Sequence, residues 1–277
     1  MMHLTLGFST CPNDTFMFDA MVNGRIDTEG LTFNLKMSDI ENLNQDALSG
    51  VLDVTKISYA LYPKISPEYQ ILYAGSALGH ANGPLLVSKS KIYPDEVNDI
   101  RVAIPGANTT ANLLLSIAFP NILKKTEYLF SDIEEMVLSG QADAGLLIHE
   151  NRFTYESRGL KKIIDLGAWW EEQTNLPIPL GGIVVRRNLP QTVKQTINRV
   201  LCNSVAYAFE HPDASMNFVR KNAQEMAEDI VKKHIALYVN DYSLTLGDDG
   251  CNAITELFQR ALDIQKINRL TQPIFAI

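Results

Sequence analysis

Apolar and polar residues alternate over residues 4–8 and 31–37, the pattern of strands with one covered face. Between and after them the spacing turns helical: residues 15–23 read as an amphipathic helix stopped by Gly24, and residues 43–48 as a helix ending at Gly50. Further strands are expected at 54–58 and 71–74. A strand–helix–strand rhythm of this kind predicts a mostly parallel sheet covered by helices.

The same order returns after the short apolar run 85–87 and the loose polar stretch 88–98. A strand at 101–104, a loop at 105–110, helices at 110–118 and 132–138, and strands at 127–130 and 144–148 follow in turn. The letters repeat too. Leu48-Ser49-Gly50 with Asp53 matches Leu138-Ser139-Gly140 with Asp143 at equal spacing, so the chain is expected to build two similar lobes. Another strand follows at 181–185, and from Pro190 the pattern is helical, broken at His211-Pro212 and resumed over 216–227, 230–239 and 254–264. These last helices are expected to pack on the first lobe as scaffold, without chemistry of their own. The chain then crosses between lobes twice, near 88–98 and near 179–187. That assigns residues 1–90 and 187–277 to lobe one and 91–186 to lobe two. Two crossings make a hinge, so the expected fold is α/β, two-lobed and periplasmic-binding-protein-like (type II), with a ligand held between the lobes.

Composition narrows the partners. The 277 residues are 46% hydrophobic and 20% charged, and the formal charge is -8 with no block of Lys and Arg, which argues against a nucleic-acid partner. The longest apolar run, 113–119, is too short to cross a bilayer, so no membrane insertion is expected. Cys11, Cys202 and Cys251 are odd in number and far apart, without metal or disulfide spacing, and the first residues lack the basic and apolar regions of a signal peptide. Both point to the reducing cytoplasm. Monomer and homodimer stay equally open.

In open parallel sheets the ligand lies beyond the carboxyl ends of the strands, where loops and helix N-termini meet. Ser9, Thr10, Asn13 and Asp14 occupy that place in lobe one, and Gly106, Ala107, Asn108, Thr109 and Thr110 in lobe two. Hydroxyl and amide side chains there ordinarily cap the helix, but a cap needs only one or two of them. The surplus, with the amides of the helix terminus, suits a small anionic ligand such as a carboxylate. Lys56 and Ser58 share one face of their strand while Ile57 turns to the core. Lys56 is either a cleft-facing cation or a lysine whose head reaches solvent at the strand end.

Among five histidines, His149 is the catalytic candidate, because it follows the strand 144–148 at its carboxyl end and imidazole can both take and return a proton near neutrality. His3, His211 and His234 are set aside as a chain start, a helix end and a helix-face residue among lysines. His80 lies in a flexible loop that could border the cleft. Cys11, at a helix start, is either a buried structural thiol or a nucleophile. No phosphate-binding, dinucleotide-binding, His-x-x-x-His or nucleophile-elbow motif is present, and no cofactor or metal is expected.

Four stretches together carry a likeness: residues 9–16 (STCPNDTF), 53–59 (DVTKISY), 83–87 (GPLLV) and 148–155 (IHENRFTY). They resemble the 1,4-dihydroxy-6-naphthoate synthases of the futalosine route to menaquinone, over nearly the whole chain. The resemblance implies a cofactor-independent lyase that converts cyclic dehypoxanthine futalosine to 1,4-dihydroxy-6-naphthoate and dihydroxyacetone. It implies His149 as general base, and Lys56, Ile57, Ser58, Thr109 and Thr110 as residues that hold the substrate. Thr10 stands where many relatives carry proline, and His80 in a loop that is glycine-rich in relatives. The competing expectations are chorismate dehydratase of the same route, a non-catalytic small-anion binding protein and an effector-sensing regulator domain. The last would need a basic helix-turn-helix, which the chain does not show.

Overall fold

The computed structural model describes residues 2–223 and 227–276. Lobe one is built from β1 (Met2–Phe8), α1 (Pro12–Val22), β2 (Leu31–Met37), α2 (Ile40–Leu48), β3 (Val54–Ser58), the single turn α3 (Tyr62–Ile65), β4 (Tyr69–Ile71) and β5 (Ala77–Gly79). Lobe two follows with β6 (Leu85–Ser88), β7 (Val102–Ile104), α4 (Thr110–Ala118), β8 (Lys125–Glu127), α5 (Ile133–Leu138), β9 (Ala144–Leu147), β10 (Lys161–Asp165) and α6 (Leu166–Thr174). The chain returns through β11 (Ile178–Arg186) and continues as α7 (Gln191–Glu210), α8 (Pro212–Asn222), α9 (Glu228–Tyr238), α10 (Asp241–Leu244) and α11 (Gly247–Asp263).

The two sheets share one plan. In the first the order is β2-β1-β3-β11-β4, with β5 also on β11; in the second it is β10-β6-β9-β7-β8. Within each lobe's own unit the strands are parallel, β1 with β2 and β3, and β7 with β8 and β9. The expectation of mostly parallel sheets holds only for these cores. β11 runs antiparallel to β3, β4 and β5, and β6 and β10 are antiparallel additions to the second sheet. β6 and β11 each enter their sheet by crossing from the other lobe, so each arrives from the opposite end.

Strand pairing also moves the lobe boundaries. Because β6 pairs with β9, the first crossing lies at residues 80–84 rather than 88–98. Because β11 pairs with β3, the second lies at residues 175–177 rather than 179–187. A strand belongs to the sheet that satisfies its backbone groups, which the apolar runs 85–87 and 181–185 do not reveal by themselves. At the hinge Gly83 and Gly167 back onto each other, and a Cβ at position 83 would lie 2.3 Å from the Gly167 backbone. Asn82 and Pro84 line the cleft there, whereas His80 turns away and accompanies Ala81 in holding Glu171 of α6, at 3.0 and 2.7 Å.

The repeated letters have a structural cause. Gly50 and Gly140 both stop a helix in the left-handed region, at φ +64° and +78°. Asp53 then accepts the Thr5 amide at 2.7 Å, and Asp143 the Arg101 amide at 2.8 Å. Each aspartate thus ties the start of its strand to the neighbouring parallel strand.

Helix α1 is not the amphipathic element its sequence suggested. It starts at Pro12, and residues 12–21 are all buried, because α7, α8 and α9 cover its outer side. Its one deeply buried carboxylate away from the cleft, Asp19, is met by Asn23, Arg25 and Ser215. The C-terminal helices pack on lobe one as expected, and α11 lies over the other face beside β11 and α4. Of the helical pattern at 216–227, α8 accounts for the part to Asn222; residues 224–226 lie outside the described residues.

Candidate active site

The lobes enclose a cleft of about 690 Å³ counted with its open mouth, lined from lobe one by Ser9, Asn13, Asp14, Lys56, Ile57 and Ser58 and from lobe two by Thr109, Thr110 and His149. Nine of the ten side chains expected to form a site therefore meet in one place. Thr10 does not. It lines an adjoining cavity with Cys11, Ser38, Asp39, Phe130 and Ser131. His149 and Ile40 belong to both spaces.

Lys56 resolves the two alternatives left open for it. It takes the cleft-facing alternative, lining the cleft rather than reaching solvent, and its head forms a buried ion pair with Asp14 at 2.7 Å, with the side chains 6% and 1% exposed. Asp14 also accepts the Ser9 hydroxyl at 2.7 Å, the Ser9 amide at 3.1 Å and the Asn13 side-chain amide at 2.8 Å. A carboxylate so surrounded offsets the desolvation of both charges. Ile57 belongs to the core and turns one edge to the cleft. Ser58 is fixed by Asn44, whose side chain both donates to its hydroxyl and accepts its amide.

In lobe two the N-terminal turn of α4 faces this network across the cleft. Thr109 caps the helix by accepting the Asn112 amide at 3.3 Å. Thr110 links the lobes, donating to the Leu180 carbonyl at 2.5 Å and accepting the Ala60 amide at 3.2 Å. The hydroxyl surplus read from the sequence is thus largely engaged by the protein itself. The cleft wall also carries the N-terminal turns of two helices, α1 and α4.

His149 begins a short 3-10 turn directly after β9, with φ at +58°, a left-handed backbone that costs a non-glycine residue about 1–2 kcal/mol. Phe130 meets the imidazole edge-on at 5.0 Å, and the Cys11 sulfur lies 3.7 Å from Nδ1. His234 stacks beside it, with centroids 6.1 Å apart and planes 10° from parallel.

His234 is the residue that sequence reasoning missed, and its place on α9 corrects the expectation that the C-terminal helices are scaffold alone. It lines the cleft with Tyr238, and its Nε2–H donates to the Asn13 side-chain oxygen at 3.0 Å. Burial pushes its pKa down to about 3, and the neighbouring His149 and Lys56 add to the shift, so the ring is neutral. The signal was present in the sequence. Val231, His234 and Tyr238 recur at helical spacing and share the buried stripe, while Lys232 and Lys233 face out. Among the described residues no group of three or more His, Cys, Asp or Glu side chains is placed to ligate a metal ion.

Two sheets joined by a double crossing around a cleft define the periplasmic-binding-protein-like class. Solved structures agree: an alkanesulfonate-binding protein from Xanthomonas axonopodis superposes with a TM-score of 0.71 at 12% identity, covering 96% of this chain and 94% of that one. A crystal structure of a protein from Archaeoglobus fulgidus gives 0.90 at 36% identity, covering 96% and 98%. The sequence narrows this to a family. Residues 4–263 match the menaquinone biosynthesis family, and the chain belongs to it. Curated relatives are the 1,4-dihydroxy-6-naphthoate synthases of Thermus thermophilus, 42% identical over 258 residues and 93% of each chain, and of Streptomyces coelicolor, 38% identical over 263 residues, 93% of this chain and 92% of that one. No helix among the described residues is long and apolar enough to cross a membrane.

Proposed function

We propose that this protein is a carbon–carbon lyase of menaquinone biosynthesis that converts cyclic dehypoxanthine futalosine to 1,4-dihydroxy-6-naphthoate and dihydroxyacetone, without a cofactor and in the cytoplasm. Relatives of that name align over nine-tenths of the chain. The observation that carries the proposal is the position of His149, which lines the same cleft as the N-terminal turns of α1 and α4.

The substrate's carboxylate binds at the N-terminus of α4, against Thr109 and Thr110, where helix amides favour negative charge. Lys56 and Ser58 line the facing wall with Ile57 beneath, and the Lys56–Asp14 pair supplies polarity without a net charge. His149 takes one proton from the substrate as the three-carbon fragment is expelled and the ring becomes aromatic, then returns it to the departing product. Substrate and products balance without an added atom, so a single positioned base suffices. The neighbouring His234, held neutral, places no second positive charge against His149 when it becomes an imidazolium.

Purified protein incubated with cyclic dehypoxanthine futalosine is expected to release the naphthoate, read by liquid chromatography. His149→Ala should lower kcat by about a hundredfold or more while KM changes little. Undiminished turnover in that variant would remove His149 from the mechanism, and no product from the unaltered protein would remove the assigned reaction.

A further inference from the structure

The cleft accounts for the aromatic acid, but the second cavity behind His149 has no role in that scheme. Its lining is chemically different. Thr10, Ser38 and Ser131 contribute hydroxyls, and Asp39 contributes a carboxylate. These residues come from both lobes, Thr10 just after β1, Ser38 and Asp39 just after β2, and Ser131 shortly after β8. Each follows the carboxyl end of a parallel strand, where ligands of such sheets bind. Thr10 and Ser38 are half-buried, and among the described residues no protein hydrogen bond engages either hydroxyl. Asp39 is held in place by capping α2, accepting the Glu41 and Asn42 amides at 2.9 and 3.0 Å.

We infer that this cavity is the subsite for a short polyhydroxylated chain, the three-carbon portion of the substrate, with Thr10 and Ser38 as its hydrogen-bonding residues. The inference rests on the lyase reaction proposed above and extends it. A flat aromatic acid needs an apolar cleft with one anion-binding end. A three-carbon polyol needs groups that both donate and accept, which a single hydroxyl does and a helix-terminal N–H does not. The bond that breaks joins these two portions, so the base has to stand where their binding sites meet. His149 is the titratable side chain common to the linings of the two spaces. Thr10, which the cleft itself leaves out, thereby acquires a place in recognition.

The test uses the full-length protein with Thr10→Val, which keeps the shape, and Ser38→Ala, which removes one oxygen. Each is expected to lower kcat/KM for cyclic dehypoxanthine futalosine by about threefold to tenfold, the effect of one lost neutral hydrogen bond. Inhibition by dihydroxyacetone should weaken in parallel. Calorimetric titration with 1,4-dihydroxy-6-naphthoate, which lacks the three-carbon portion, should return the affinity of the unaltered protein. Turnover at full kcat/KM in both variants would overturn the subsite and leave the reaction standing. Equal loss of naphthoate affinity would also overturn it, by placing the aromatic portion in this cavity. Absence of any product from the unaltered protein would remove the reaction, and the subsite with it.

Discussion

The strand ends of β3 and β9 occupy equivalent positions in two copies of one motif, yet they carry opposite kinds of half-site. At the end of β3 polarity is complete within lobe one: Lys56, Asp14, Asn13 and Ser9 satisfy one another in the interior. At the end of β9, His149 has Phe130 as an aromatic neighbour on its own lobe, whereas Cys11 and His234 approach it from lobe one. One half-site is organised before a ligand arrives. The other is assembled from residues of both lobes, so its shape depends on how the two lobes meet.

Under the proposed function this contrast puts stability on one side and turnover on the other, and it can be broken directly. Lys56→Met leaves Asp14 buried without its cation, so a loss of about 3–5 kcal/mol is expected in urea unfolding. A loss under about 1 kcal/mol would make the half-sites alike. His149→Ala, for which the proposed reaction predicts a loss of about a hundredfold or more in kcat, should leave the urea midpoint nearly unmoved, since alanine keeps a Cβ and with it the same left-handed backbone cost.

His234 joins the two halves and gives a pH signature. Its folded pKa of about 3 lies below the ordinary 6.5, so between those values the unfolded chain binds a proton that the folded one refuses. Its contribution is therefore fully favourable above pH 6.5 and is lost as pH falls towards 3. In His234→Gln, which keeps a donor for Asn13, the drop in urea midpoint between pH 7 and pH 5 should be smaller than in the unaltered protein. An unchanged drop would place the acid sensitivity elsewhere.

The smallest effects separate the two repeat aspartates. Asp53, half-buried, accepts both the amide and the hydroxyl of Thr5, and Asp53→Ala should cost about 1–2 kcal/mol. Asp143 bonds the amide and side chain of Arg101 at the surface, its side chain 37% exposed, and Asp143→Ala should cost below about 1 kcal/mol. The Arg101 guanidinium holds the Asp143 carboxyl below its usual range, so even this small term fades as pH falls through that range. Equal losses in thermal unfolding would mean that burial does not distinguish the two copies.

Much of this molecule was legible without coordinates because it rests on local rules. The limits of β2, β3 and α4 follow from side-chain periodicity, and the twofold plan follows from the Leu-Ser-Gly and Asp spacing. Turn chemistry explains the glycine stops at 50 and 140. His149, Thr109 and Asp14 could be named because strand ends and helix starts are where parallel sheets expose polar groups. The hinge positions, the pairing of Lys56 with Asp14 across 42 residues, the passage of Thr10 into a neighbouring cavity and the arrival of His234 beside His149 were not legible in that way. Each depends on which strands share hydrogen bonds and which helix covers which face. Those choices are made between segments far apart in the chain, where burial and backbone pairing outweigh any preference that neighbouring residues express.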